Sequence, residues 1–371
     1  MSSLSRAAWL AAAALSTAAG HAAADEPALS FSGYGTLGVA HSSEPQADFT
    51  ATTFQPNGAG HIRNWSPTVD SRLAGQLTAE FNPQWSAVTQ VVVEQRWDGS
   101  WHPALEWANV QYAVTPDLKV RAGRIALPTF LMSNTRKVGY TMPWIRVPST
   151  VYSALAMTNS DGADVSYSFQ AGPARDTVVA YAGRNNSTYP FADGTGYHER
   201  ARRMRGLADT VTYGAATLQL SHFEARLSSD ELDVQDAPYK VNAIGGNYDP
   251  GDWFVTGEWA RTSGLNGGVP SWYVGAGYRL GAFTPYLNYN HRKQMEVQGR
   301  LPGSPMQSVA IGQHGLGAGL RWDFRPGMDL KLQYDRNSPN AGSIGTLVNP
   351  QPALLPGQRY HVVSLAMDFV Y

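Results

Sequence analysis

Apolar and polar residues alternate with a period of two along most of the chain. The pattern is clearest at 316–324, where Leu, Ala, Leu, Trp and Phe alternate with Gly, Arg and Asp. The same alternation recurs at 72–81, 253–259, 272–280 and 328–335. Because successive side chains of an extended strand point to opposite faces, this period predicts strands with one mainly apolar face.

Sixteen strands, an even number, are predicted from this pattern. They cover 29–40, 71–82, 84–96, 104–114, 118–126, 161–169, 176–186, 204–213, 214–226, 238–249, 252–263, 269–280, 282–294, 310–325, 328–337 and 357–371. The connections alternate between short turns rich in Gly, Pro, Asn or Asp and longer loops. The longest loops are predicted at 41–70, 127–160, 187–203, 295–309 and 338–356, with intermediate ones at 97–103, 227–237 and 264–268. This alternation is typical of a membrane β-barrel with turns on the periplasmic side and loops outside.

The final strand shows the pattern to the last residue. Its apolar phase ends in Phe369 and Tyr371, and the other phase carries Asp368. A strand that seals a membrane barrel needs lipid on one face and the lumen on the other. We therefore expect it to pair with the first strand, 29–40, with Asp368 facing the lumen and Tyr371 at the periplasmic interface.

The first 24 residues are typical of a secretory signal peptide. Arg6 supplies a positive charge, 7–18 is mostly apolar, and small residues precede Asp25. This apolar run is too short to span a bilayer as a helix. We predict a signal peptide at 1–24 and a single barrel domain at 25–371.

Composition narrows the function classes. The 28 basic and 29 acidic residues give a formal net charge of −1, which argues against a nucleic-acid partner. Cysteine is absent, which excludes disulfides and thiolate metal sites. With 11 Trp, 18 Tyr and 12 Phe, the chain has enough aromatic residues for interfacial girdles. The predicted fold class is all-β, a transmembrane antiparallel barrel of about sixteen strands.

With its signal peptide, sixteen strands, alternating connections and aromatic terminus, the chain resembles the sixteen-stranded outer-membrane porins of Gram-negative bacteria. The resemblance implies a bacterial outer-membrane location, a water-filled channel for small hydrophilic solutes, and a homotrimer among lipid and lipopolysaccharide. It also implies that the third outer loop folds into the barrel and narrows it. No cofactor and no metal ion are expected.

The matching third loop is 127–160, and it is too apolar to extend into water. Phe130, Trp144 and Tyr152 are among its large side chains that need burial, which the inner barrel wall would provide. The loop carries three cations and no Asp or Glu, and it lacks the acidic Pro-Glu-Phe-type element of many general porins. Together with the preceding strand, it predicts a constriction lined by Arg136, Lys137, Arg146, Arg121 and Arg124.

A few fixed charges act strongly in a constriction with low-dielectric walls, so we expect a preference for anions, including small organic carboxylates. The alternative is that these cations pair with wall carboxylates such as Glu80, Glu94 or Glu258 and leave little selectivity. The residues predicted on the pore wall are Arg72, Glu80, Glu94, Arg96, Lys119, Glu258, Arg279 and Arg321.

An acidic cluster lies in a predicted outer loop. Asp230, Glu231, Asp233 and Asp236 could bind divalent cations that bridge lipopolysaccharide, or could simply form a solvated loop.

Two other functions are possible for the barrel. A channel for hydrophobic or aromatic substrates is an alternative, because the inward loop is apolar. No Gly-x-Ser-x-Gly or His-Glu-x-x-His motif is present, so an enzyme is not expected.

Overall fold

The computed structural model describes residues 27–191, 195–264, 268–300 and 306–371. Over these residues, sixteen long strands form one closed antiparallel barrel in which each strand pairs with its neighbours in sequence. The predicted fold class and strand number are confirmed. The predicted signal peptide at 1–24 lies outside the described residues.

The strands are long on one part of the barrel and short on another. They are β1 (Ala28–Ser42), β2 (Arg72–Glu80), β3 (Trp85–Glu94), β4 (Ala104–Ala113), β5 (Leu118–Ala126), β6 (Asn159–Ala171), β7 (Ala174–Pro190), β8 (Gly196–Tyr213), β9 (Ala216–Ser229), β10 (Val234–Tyr248), β11 (Trp253–Gly264), β12 (Val269–Tyr278), β13 (Phe283–Arg300), β14 (Met306–Arg325), β15 (Met328–Pro339) and β16 (Tyr360–Val370). Strands β2 to β5 have 9 or 10 residues, whereas β7, β8, β13 and β14 have 17 to 20.

The barrel closes through β1, which pairs with β2 on one edge and β16 on the other. The β1–β16 ladder runs from Tyr34 opposite Val370 to Ser42 opposite Val362. Backbone hydrogen bonds between Gly33 and Tyr371, 2.9 and 3.0 Å long, continue it to the last residue. The predicted pairing of the first and last strands is confirmed.

Two predicted loops, 187–203 and 295–309, are wrong over most of their described residues, because 187–190, 196–203, 295–300 and 306–309 are strand. The β7–β8 ladder continues to Pro190 opposite Gly196, and the β13–β14 ladder continues to the end of β13. These extensions lie on the loop side, beyond the expected bilayer, where no lipid imposes an apolar face. Hydrogen bonds of the ladder therefore extend the strands where hydrophobic period gives no signal.

The outward faces carry aromatic residues at two heights. On the paired strands β11 and β12, Trp253 lies opposite Tyr278 near the turn side, and Trp259 lies opposite Trp272 six residues further along. All four side chains are exposed. Six residues of strand span about 20 Å, comparable to the apolar band of membrane barrels.

Two connections fold against the barrel. The β1–β2 connection forms a small pair of strands, Asp48–Phe49 with Ala59–Gly60, and a short strand, Trp65–Ser66, that extends the pairing along β1. The β5–β6 connection contains a helical turn at Ser149–Tyr152 between 3-10 turns. Among the described residues, no helix is both long and apolar enough to cross a membrane.

An outward-facing leucine tests the position of the apolar band. Leu287 in β13 is 59% exposed, and we expect Leu287→Arg to destabilise the barrel by about 2–4 kcal/mol because it places a charge in lipid. The matched control is Leu355→Arg, since Leu355 is 67% exposed in the β15–β16 loop. Urea unfolding in phospholipid vesicles measures both. Equal effects of the two substitutions would contradict the assignment of the band.

Candidate functional site

Residues 127–158, here called the inner segment, run from β5 to β6 through the barrel interior. Trp144 is 1% exposed and meets the rings of Phe254, Tyr273 and Tyr286 edge-on, with centroids 6.0–6.5 Å apart. The predicted burial of this loop against the inner wall is confirmed. Packing against the wall fixes its position inside the lumen.

Glu258 of β11 holds both ends of the inner segment. Its carboxylate accepts hydrogen bonds from the Leu131 backbone N–H at 2.7 Å, the Tyr152 hydroxyl at 2.5 Å and the Tyr273 hydroxyl at 2.8 Å. The side chain is buried. Glu258 was predicted on the pore wall, where it lies, but it anchors the segment instead of facing water.

A buried lysine connects the inner segment to the closing strands. The ammonium of Lys331 in β15 lies 2.8 Å from the Asp368 carboxylate and 3.5 Å from the Asp329 carboxylate. It also donates a hydrogen bond of 2.7 Å to the Gly139 carbonyl. Thr36 of β1 donates to the same Asp368 carboxylate. Asp368 therefore faces the lumen side, as predicted, and joins β1, β15, β16 and the inner segment.

Lys137 is neutralised by two carboxylates on the short strands. Its Nζ lies 2.5 Å from Glu94 of β3 and 3.0 Å from Glu106 of β4. Arg72 of β2 lies 3.9 Å from Glu94. The predicted cation is thus inside the lumen, but its charge is opposed by acids that belong to the wall.

Arg146 is neutralised in a similar way on the other side of the segment. Its guanidinium contacts Asp70 at 2.6 Å and Asp335 of β15 at 3.3 Å, and it donates to the Ser364 hydroxyl at 2.7 Å. Its side chain is 8% exposed. This arginine therefore ties the segment to the wall as much as it contributes positive charge.

Arg136 differs because its hydrogen bonds go to carbonyl groups. Its guanidinium donates to the backbone oxygens of Leu155 at 3.3 Å and Ala156 at 2.8 Å. Among the described residues, no carboxylate lies within salt-bridge distance of it. Carbonyl dipoles orient the Arg136 guanidinium without forming an ion pair with it. The carboxylates that act on Arg136, Glu106 and Glu94, do so through space, because both contact Lys137 instead.

The two arginines predicted from β5 do not reach the inner segment. Arg121 forms a salt bridge of 2.8 Å with Asp164 of β6, and Arg124 forms one of 2.7 Å with Asp161. Asp161 shares the strand phase of the outward-facing Val165. Arg124 lies opposite Asp161 in the ladder, so this pair belongs to the wall rather than to the narrowest section.

The inner segment separates two chambers of the lumen. The loop-side chamber, about 280 Å³, is bordered by Arg136, Lys137 and Tyr152. The turn-side chamber, about 520 Å³, is bordered by Leu131, Met132 and Tyr140. No lining residue is shared between these two chambers.

The two chambers differ in charge. The charged residues that line the loop-side chamber are Arg72, Arg96, Arg124, Arg136, Lys137, Arg146, Glu94 and Glu106. The charged residues that line the turn-side chamber are Asp249, Arg279, Arg321 and Asp323. Six cations and two carboxylates line the loop-side chamber, one of the cations being Arg124, which is paired with Asp161 at the wall, whereas the turn side is balanced.

The remaining predicted wall residues have separate roles. Arg321 donates to the carbonyls of Tyr140 and Met142 at 2.8 and 2.9 Å, so it also holds the inner segment. Arg279 forms a salt bridge of 2.7 Å with a carboxylate of the β10–β11 turn. Glu80 and Lys119 lie at the turn-side ends of β2 and β5.

The acidic cluster at the β9–β10 turn is partly neutralised by basic side chains. Arg200 contacts Asp230 at 2.9 Å, and His198 contacts Glu231 at 2.8 Å. The hydrogen bond from Arg200 lowers the pKa of Asp230 to about 2, and that from His198 lowers the pKa of Glu231 to about 2. Among the described residues, no group of three or more His, Cys, Asp or Glu is arranged to hold a metal ion.

Sequence reasoning named Glu94 as a possible partner of the inner cations, but it missed Glu106, Asp70 and Asp335, the other carboxylates that neutralise them. Asp335 lies on the inward phase of β15, so alternation gave a usable signal for it. Glu106 sits beside a register shift between β3 and β4, and Asp70 lies in the irregular β1–β2 connection. At neither position does the alternation of apolar and polar residues indicate whether the side chain points inward or outward.

Comparison with known proteins gives one family and a set of similar folds. A family model described as Gram-negative porin matches residues 11–342. Comparison with curated protein sequences finds no match. At 11–12% identity, the structural matches below establish the fold alone.

Three solved structures illustrate the likeness. An anion-selective porin from Comamonas acidovorans matches with a TM-score of 0.59 and 12% identity, over 93% of this chain and 100% of that one. The outer membrane channel DcaP of Acinetobacter baumannii matches with a TM-score of 0.60 and 11% identity, over 93% and 98%. OmpT of Vibrio cholerae in its trimer form matches with a TM-score of 0.57 and 12% identity, over 94% and 100%.

A glycine on the wall tests how the inner segment is held. A Cβ at Gly275 of β12 would lie 2.5 Å from Cζ3 of Trp144, so Gly275→Ala should displace the indole. We expect a loss of about 1–3 kcal/mol of stability and an altered single-channel conductance. Gly246→Ala is the control, because a Cβ there meets its nearest atom at 3.8 Å. Unchanged conductance in Gly275→Ala would show that Trp144 does not position the segment.

Proposed function

The chain belongs to the family of Gram-negative porins and forms a channel in the bacterial outer membrane, and we propose that this channel favours small anions. The solutes are small and hydrophilic, and they diffuse through the lumen past the inner segment. The proposal excludes an enzymatic role. It includes a homotrimer in contact with lipid and lipopolysaccharide, supported by the trimer form of the Vibrio cholerae structure.

The observation that carries the anion preference is the charge of Arg136. Lys137 and Arg146, the other cations of the inner segment, each contact two carboxylates. Arg136 contacts only carbonyl oxygens, and it borders the loop-side chamber. A charge without a contacting carboxylate acts over a longer range when the surrounding walls have a low dielectric constant.

The excess of cations around the loop-side chamber supports the same direction. An entering cation is repelled by six basic side chains and attracted by two carboxylates, whereas an entering anion is attracted by the six and repelled by the two. Salt bridges reduce this asymmetry, because Arg146 and Arg124 also contact acids outside the lining. The selectivity we propose is therefore moderate and centred on one arginine. A relative by fold, the Comamonas acidovorans porin, is described as anion-selective.

Replacing Arg136 tests the proposal directly. We expect Arg136→Gln to lower the anion-to-cation permeability ratio by about twofold or more, because a charge without a contacting carboxylate is lost. Arg136→Lys keeps a charge and should retain most of the preference. Reversal potentials of single channels in a potassium chloride gradient measure the ratio. A wild-type channel that favours potassium would refute the proposal, as would a ratio unchanged in Arg136→Gln.

Lys137 gives a second test with a different physical cause. In Lys137→Gln, Glu94 and Glu106 lose their shared partner beside the loop-side chamber. We expect the selectivity to move further toward cations than in Arg136→Gln, because two carboxylates are exposed as one cation is removed. Arg121→Gln is the control, since Arg121 pairs with Asp164 outside the lining of this chamber. A larger shift in the control than in Lys137→Gln would rule out this account.

A further inference from the structure

We infer that the loop-side chamber binds small aromatic carboxylates, with the ring against Phe54 and Trp97 and the carboxylate toward Arg136. The inference rests on the proposed anion preference, to which it adds a ligand class. Three features support it. They are a pair of supported aromatic rings, a cation without a contacting carboxylate, and a volume suited to one ring.

Phe54 is held from behind by the tall β7–β8 hairpin. Its ring stacks on Tyr189 of β7, with centroids 4.7 Å apart and planes inclined by 14°. Tyr189 stacks in turn on Tyr197 of β8 at 5.3 Å. Phe54 also lines the loop-side chamber, so a supported aromatic surface borders the space. A ring fixed in advance loses little conformational freedom when a ligand stacks on it.

Trp97 is held against the same hairpin from a different connection. It lies in the β3–β4 loop, and its six-membered ring packs over Gly196 at the start of β8. A Cβ at Gly196 would lie 2.6 Å from Cζ3 of Trp97, so the contact requires glycine. Trp97 also lines the chamber. Two aromatic side chains from separate loops therefore border one space, both supported by one hairpin.

The charged part of the site is the guanidinium of Arg136. It borders the same chamber, and among the described residues it donates to the carbonyl oxygens of Leu155 and Ala156. A ligand carboxylate would give it a contacting anionic acceptor, which it lacks, through a charge-assisted hydrogen bond. Lys137 and Arg146 already have such acceptors, so they contribute less to a ligand.

The volume of the loop-side chamber and the balanced charge of the turn-side chamber both limit the class of ligand. The loop-side chamber has about 280 Å³, just below the range of roughly 300–1,000 Å³ that holds drug-sized ligands. This suits an acid with a single ring. In the turn-side chamber, Arg279 contacts Asp249 and Arg321 contacts Asp323, so a carboxylate would meet balanced charge there.

The experiment measures block of ion current through the full-length channel in planar bilayers. Benzoate, cyclohexanecarboxylate and benzamide are added on the loop side, and the concentration that halves the current is recorded. We expect benzoate to act at about three- to tenfold lower concentration than cyclohexanecarboxylate, because stacking favours the aromatic ring. Benzamide, which has the ring without the charge, should block least.

Variants separate the ring from the charge. Phe54→Leu and Trp97→Leu should remove the advantage of benzoate while the reversal potential in potassium chloride is unchanged. Trp101→Leu is the matched control, because Trp101 lies in the same loop as Trp97 but does not line the chamber. Arg136→Gln should weaken both carboxylates to a similar degree. Trp97→Phe keeps a ring and should keep part of the advantage if the loop folds normally.

The outcomes distinguish this inference from the proposal on which it rests. Equal block by benzoate and cyclohexanecarboxylate, with anion preference intact, would overturn the aromatic site alone. An advantage of benzoate that survives both leucine variants would overturn the assignment to Phe54 and Trp97. A channel that favours potassium and is blocked by neither carboxylate would refute the anion preference as well.

Discussion

The structure depends on closure of one hydrogen-bonded sheet. Lipid offers no partner to a backbone N–H or C=O group, so a sheet that spans a membrane needs every edge paired. Here β1 meets both β2 and β16, and the ladder reaches the last residue through Gly33. Closure creates an interior, and that interior is where the apolar inner segment can be buried. The constriction therefore depends on the closed sheet, whose hydrogen bonds also satisfy the backbone N–H and C=O groups in lipid.

Charge inside the barrel follows a second constraint, the cost of leaving an ion unpaired where water is scarce. Lys331, with no exposed surface, is held between Asp368, Asp329 and the carbonyl of Gly139. Lys137 and Arg146 of the inner segment are likewise paired with carboxylates, and these ion pairs hold the segment against the wall. Arg136 is the exception, because it is oriented by carbonyl groups that form no ion pair with it. Selectivity can then rest on one residue even though several cations occupy the lumen.

The sequence predicted the barrel more completely than the site. Alternation identified sixteen strands because lipid on one face and the lumen on the other impose a period of two. It missed the strand residues 187–190 and 196–203 at the end of the β7–β8 hairpin, where the apolar period disappears. The inward loop was recognised from its apolar side chains and lack of acids. Among the carboxylates that pair with its cations, Glu94 was named as a possible partner. Asp70 and Glu106 were not, since they come from an irregular connection and from a register shift, where strand phase carries no information.

The contacts that hold the inner segment against the wall differ from those of Arg136, whose charge we propose selects anions. This difference explains how an apolar loop can line a polar channel. One surface of the inner segment packs Trp144 against the wall and gives its backbone groups to Glu258 and Arg321. The other presents Arg136 to the loop-side chamber, whereas Tyr152 borders that chamber and also donates to Glu258. Changes at Arg136 can alter which solutes pass without loosening the packed surface, because its hydrogen bonds go to Leu155 and Ala156 of the same segment. The long β7–β8 hairpin adds a further support, because Tyr189 and Gly196 of this hairpin contact the rings of Phe54 and Trp97 that border the chamber.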